Sequence, residues 1–228
     1  MASAAAEQEN AFRRIWQTFR AVHMVTDGRH DTDDWRGHDG VYAICVARVP
    51  GTVLQPELGN LRTALAGYSF VRLHPDPFLH ISLQELGFVC DRPSRQDEIS
   101  PTRLDEFVSM AADAVADQAA FDVSLGGVNS FLDATFLDVH DGGRCAPIHS
   151  RLFELAAIPR APDFPFIPHA TVAHYTGEAP SLHLADSLGP WRNVAFGTFR
   201  VEHVEVVTMR LDEPYPPLEP YATLPLRP

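Results

Sequence analysis

The chain has 228 residues, 45% of them hydrophobic and 21% charged, and a formal net charge of −12. That length supports one domain or two close-packed lobes with a full core, and the acidic balance argues against nucleic-acid binding through a broad basic surface. All 18 basic residues are arginine, which excludes the P-loop lysine and any lysyl intermediate, including the lysyl-adenylate of an ATP-dependent ligase.

No apolar run is long enough to span a bilayer, so no membrane partner is expected. The first residues, MASAAAEQEN, are small and acidic, unlike a signal peptide. Three widely spaced cysteines, Cys45, Cys90 and Cys145, suggest neither a disulfide framework nor a zinc site and fit a reducing cytoplasm.

In chain order, Phe12, Ile15, Trp16, Phe19 and Val22 recur at helical spacing, so residues 7–25 are expected as an amphipathic helix packed on the main body. A Gly/Asp/His loop covers 26–40. VYAICVARV (41–49) is a first strand closed by Pro50 and Gly51. A short helix is expected over 56–66 and a strand or extended approach over 68–73, followed by a strand from Phe78 to Phe88. Ser100 and Pro101 open the clearest helix signal, continued by Leu104, Phe107, Val108 and Ala111. FDVSLGGV (121–128) and ATFLDVH (134–140) are expected as paired strands, with a turn at Asp141-Gly142-Gly143. A helix over 146–158, a strand through FIPHATVAHY (166–175), a weak helix over 180–189 and strands over 193–199 and 201–211 complete the pattern. The last 17 residues are Pro-rich and expected to be extended. This order predicts an α+β fold with two related halves, and two lobes with antiparallel sheets facing a central cleft. Residues 1–40 are expected to hold the N-terminal helix and loop, 41–211 the bilobal body and 212–228 a Pro-rich extension.

Two of these strands carry an unusual feature. FLHISLQELG (78–87) places His80 two residues before Ser82, and FIPHATVAHY places His169 two residues before Thr171. Residues i and i+2 of a strand share a face, so each pair projects together from an otherwise apolar strand. Eleven histidines predict about one chance match to His-x-Ser/Thr. The weight therefore rests on strand context and on the repetition. A third match, His30-Asp31-Thr32, lies in a polar loop and is discounted.

Two imidazoles across a cleft suit acid–base chemistry near neutral pH, one accepting a proton from a nucleophile and one donating to a leaving oxygen. A hydroxyl beside each is placed to hold the nonbridging oxygens of a phosphate. With His80-Ile81-Ser82-Leu83, then Glu85-Leu86-Gly87, and Pro168-His169-Ala170-Thr171-Val172-Ala173, the chain resembles the two-histidine (2H) phosphoesterases, a superfamily of RNA 2′,5′-ligase-like proteins and 2′,3′-cyclic nucleotide phosphodiesterases. The resemblance covers roughly 41–211. It implies His80 and His169 as acid and base, in undecided order, with Ser82 and Thr171 holding phosphate and no cofactor or metal required. Tyr175, after the second motif, is a candidate substrate contact, although a core role suits it better; Phe131 is a candidate cleft residue. His174 stands where ligase-like members often carry arginine, which together with the net charge points to a nucleotide or short oligonucleotide rather than a long RNA. Arg72 and Arg144 are expected to be solvated. Two alternatives stand: a nucleotide-phosphate binding module without turnover, and a metal hydrolase using the His-Asp pairs at His30, His38 and His140, which lack helical metal-site spacing.

Overall fold

The computed structural model describes residues 4–29, 32–54, 56–156 and 165–228. Its elements are α1 (Ala4–Ala21), β1 (Met24–Val25), α2 (Asp33–Arg36), β2 (Val41–Arg48), α3 (Glu57–Leu65), β3 (Val71–Leu73), β4 (His80–Val89), β5 (Glu98–Ile99), α4 (Pro101–Val115), β6 (Phe121–Ser130), β7 (Ala134–His140), α5 (Cys145–Ala156), β8 (His169–Tyr175), β9 (Ala179–Pro180), α6 (Leu182–Leu188), β10 (Ala195–Val201), β11 (His203–Arg210) and β12 (Glu219–Pro225).

One large sheet runs in the order β10-β6-β7-β8-β4-β2-β11-β12, with β3 on β8 and β5 on β4. Every pairing is antiparallel except β4 with β5. The sheet divides where β8 meets β4, because a single residue pair, Ile81 with Ala170, joins them. One lobe is β4-β2-β11-β12, backed by α4 and α5; the other is β10-β6-β7-β8, with α1 on β6 and α3 on β3. The lobes do not follow the two halves of the chain. β6 and β7 cross over to join β8, and β11 returns from the end of the chain to pair with β2 along Glu205–Arg210.

The helices form where their signals place them. Ser100 caps α4 by accepting a hydrogen bond from the Arg103 amide, and Pro101 sits in the first turn, where its missing N–H costs nothing. Leu104, Phe107, Ala111 and Val115 face Ile81, Leu83, Leu86 and Leu152 in a shared core. A second apolar cluster, including Tyr42, Ile44, Phe78, Phe88 and Met209, lies on the opposite side of the same strands.

Two features leave no periodic mark in the sequence. The Pro-rich end forms β12, which anchors through Leu218, Leu224 and Leu226. Pro220 and Pro225 are tolerated there because β12 is an edge strand, paired on one side only. In the loop expected over 26–40, Asp33–Arg36 winds into a helical turn that sets Trp35 on Tyr42 and Phe88, with ring centroids 4.5 and 4.9 Å away.

Candidate active site

The register at the seam assembles the site. With Ile81 opposite Ala170 in an antiparallel pair, His80 comes opposite Thr171 and Ser82 opposite His169. All four side chains share the cleft face, and Ile81 and Ala170 turn into the core behind them. The two imidazoles occupy one diagonal of this block, where residues of paired strands lie about 7–8 Å apart. The cleft has a volume of about 580 Å³ and contains His80, Ser82, His169 and Thr171 together.

Each histidine is oriented in the same way. His80 Nδ1 donates to the Phe78 carbonyl two residues upstream at 2.6 Å, and His169 Nδ1 donates to the Ile167 carbonyl at 2.8 Å. A neutral ring with its proton held on Nδ1 carries its basic lone pair on Nε2. His169 also packs edge-on against Phe131 and Phe136, at 5.1 and 5.2 Å. Burial there lowers its pKa from the ordinary imidazole value; the Ile167 hydrogen bond and nearby Asp133 oppose that shift.

A β-bulge follows each motif. Leu83 is the extra residue on β4, between Ser82 opposite Val46 and Gln84 opposite Cys45. Val172 is the extra residue on β8, between Thr171 opposite Phe136 and Ala173 opposite Thr135. Both bulged carbonyls are satisfied from outside the ladder: Leu83 accepts from His149 Nδ1 of α5, and Val172 accepts from the His74 amide. The extra residue reverses the face parity beyond it. Position five after each histidine, Glu85 in one motif and His174 in the other, therefore turns into the cleft.

The same reversal removes Tyr175 from the candidate contacts. Strict alternation would place it with His169 and Thr171, but the bulge turns it into the core. It is fully buried, and its hydroxyl is hydrogen-bonded to Ser130 and Thr135. Burial pushes its pKa up to about 12. Phe131 does line the cleft. Arg72 and Arg144 are not part of the lining.

Further cleft residues come from loops and neighbouring strands. His174 Nδ1 lies 3.1 Å from His74 Nε2 and 3.4 Å from the Tyr215 hydroxyl. Tyr215, in the loop between β11 and β12, has φ 52°, the one non-glycine residue with positive φ among those described. That conformation costs about 1–2 kcal/mol and lays its ring against His74, Phe78 and His174. Trp35, Tyr42, Glu85, Asp133, Arg210 and Glu213 complete the polar and aromatic lining. Among the described residues Arg210 is its one arginine, and Asp212 holds that guanidinium. The bulges, the single helical turn that carries Trp35 and the loop that carries Tyr215 explain why sequence periodicity does not mark these residues. Glu85 stands within the first motif, yet only the bulge gives it a face.

The His-Asp pairs are engaged elsewhere. His38 is buried against Glu98 and Arg95. His140 bonds Glu9 and the Gly126 carbonyl, and Asp141 accepts from the Gly143 and Cys145 amides at the start of α5. His30 and Asp31 lie outside the described residues.

The family model described as 2'-5' RNA ligase superfamily matches residues 50–213. The chain belongs to that superfamily. Solved structures with the same fold include TT0787 of Thermus thermophilus, 20% identical with a TM-score of 0.58 over 82% of this chain and 98% of that one. E. coli LigT complexed with 3'-AMP is 16% identical with a TM-score of 0.60 over 83% and 100%. A conserved protein of unknown function, ATU0111 from Agrobacterium tumefaciens, is 11% identical with a TM-score of 0.56 over 81% and 85%. No curated protein matches the chain. Among the described residues, no helix is long and apolar enough to cross a membrane.

Proposed function

We propose that the protein is a metal-independent phosphodiesterase that hydrolyses a cyclic phosphate or a 2′-linked phosphodiester of a nucleotide or short oligonucleotide. The observation that carries this reading is the four-residue block at the seam, with both imidazoles held through Nδ1 so that each presents Nε2. His169, kept neutral by burial, accepts a proton from the attacking water as its oxygen bonds to phosphorus. His80, protonated on Nε2, gives that proton to the ester oxygen as the P–O bond breaks. The Ser82 and Thr171 hydroxyls donate to the nonbridging oxygens, where negative charge collects. A proton returned from His169 to solvent, and one taken up by His80, reset the pair.

The cleft's charge supports a small substrate. One arginine, already held by Asp212, faces Glu85, Asp133 and Glu213. A track for several backbone phosphates needs several cations and brings a steep dependence on salt. The fold relative LigT has been crystallised with 3'-AMP, with ATP and with phosphate, which supports a nucleotide-sized ligand here. Two of the three free cysteines, Cys45 and Cys145, are buried, in keeping with a cytoplasmic setting.

The test is a panel of 2′,3′-cyclic mononucleotides, 2′,5′-linked dinucleotides and a long RNA ending in a cyclic phosphate, with products read by mass spectrometry. Turnover of a small member, insensitive to EDTA and mildly sensitive to salt, is expected. Loss of turnover on chelation, restored by metal, would replace the two-histidine mechanism with a metal-dependent one. Tight binding with no turnover would make the protein a binding module. A strong preference for the long RNA that collapses with salt would overturn the substrate size.

A further inference from the structure

The cleft extends from the phosphate-holding block in two directions, and the two ends differ. Beyond His80 lie Phe78, His174 and Tyr215; beyond Ser82 lies Glu85, then Tyr42 and Trp35. The bulge at Leu83 places Glu85 on the cleft face two regular strand steps past Ser82, about 7 Å along β4. Glu85 is exposed to the cleft and pairs with Ile44 of β2, two residues from Tyr42, whose hydroxyl pKa is pushed up by burial and by the nearby Glu85 charge. No ion pair to Glu85 is present among the described residues. A lone carboxylate repels the phosphate of a bound substrate, so it contributes to binding only by accepting hydrogen bonds from a neutral part of that substrate.

Building on the phosphodiesterase reading, we infer that Glu85 is a specificity-determining residue that reads the amino group of a nucleobase seated against Tyr42 and Trp35. Adenine, cytosine and guanine each present an exocyclic amine that donates to a carboxylate. Uracil presents carbonyl oxygens on both sides of its single N–H, and these repel it. Tyr42 and Trp35, packed on one another with ring centroids 4.5 Å apart, form an aromatic wall of the cleft against which a flat ring packs. The base thus lies at the acidic end while the phosphate lies on the histidine block.

The test measures kcat/KM of the full-length protein for the four 2′,3′-cyclic mononucleotides, in wild type and in Glu85→Gln. The wild type is expected to favour the three amine-bearing bases over uracil by about tenfold, the loss associated with one hydrogen bond to a charged group. Glu85→Gln, whose amide both donates and accepts, is expected to bring the ratio near one, the amine-bearing bases losing rate and uracil gaining it as the repulsion is removed. Equal rates for all four bases in wild type, or an unchanged ratio in Glu85→Gln, would overturn the role of Glu85. The same four compounds titrated calorimetrically into His169→Ala separate the two readings. Base selection in binding, with no turnover by wild type, keeps the Glu85 role and removes the phosphodiesterase reading. Turnover without base selection does the reverse.

Discussion

The cleft-side face of the sheet is sealed over β7 and β6 and open over β4 and β2. Asp138 stands opposite His169 and Asn129 opposite Phe136, so all four share one face. Over Asn129 and Asp138 lies α1: the Asn129 side chain donates to the Phe12 carbonyl and to Asp138, Arg192 reaches Asp138 at 2.9 Å and stacks over Trp16, and Gln8 donates to the Val139 carbonyl. Burial pushes Asp138 up to about 6 even with that guanidinium beside it. On the open half, Ser82, Thr171 and Glu85 face the cleft instead. Polar groups in the sealed half are saturated within the protein, whereas those in the open half are available to a ligand. The same surface therefore closes on the protein's own groups at one end and leaves polar groups facing the cleft at the other.

The largest effect that would break this contrast lies at the histidines. His80→Ala and His169→Ala should each lower kcat by ~10²–10⁴-fold with little change in melting temperature; full turnover from either would mean the open half is not catalytic. Arg192→Met should show the opposite signature. Stranding the buried Asp138 carboxylate is expected to cost about 3 kcal/mol in a urea titration, with kcat/KM for a cyclic nucleotide within about twofold of wild type. A smaller effect is expected from Ser82→Ala and Thr171→Ala, each about tenfold in kcat/KM from one lost bond to a charged oxygen. No loss from either would show that the hydroxyls only fill space.

The smallest effect is in pH. Since His169 titrates below the ordinary imidazole value, the acid limb of kcat/KM should fall below pH ~6.5. The unfolded chain binds that proton more readily than the folded one. Folding stability from a neutral His169 is thus full above pH ~6.5 and is lost as the pH falls toward its lowered value. The urea midpoint of wild type should therefore drop more between pH 7.5 and 5 than that of His169→Asn. Equal drops would indicate that His169 is not desolvated.

The sequence was legible wherever alternation or helical spacing runs unbroken. The motif strands, the capped start of α4 and the pairing of β6 with β7 all have such patterns. It was silent wherever one extra residue resets the alternation: Glu85 and Tyr175 differ from a period-2 reading only through Leu83 and Val172, hydrophobic residues that look like any others in a strand. Trp35 reaches the cleft from a single helical turn and Tyr215 from a loop, neither long or regular enough to show a period. β12 is masked by its prolines, which disfavour strands in general but not at an edge.

The seam between the lobes has a mechanical consequence. The imidazoles stand on strands joined at one residue pair, and the reverse sides of that joint, Ile81, Leu83, Ala170 and Val172, are at most 1% exposed in the common core. The gap between the two imidazoles is thus backed by side chains that face the core and not the cleft. A bulkier residue at Ala170 acts as a wedge that splays the two strands, and a smaller one at Ile81 lets them settle closer. The alignment of the two imidazoles is thus a dimension of the core, open to tuning from the side opposite the cleft.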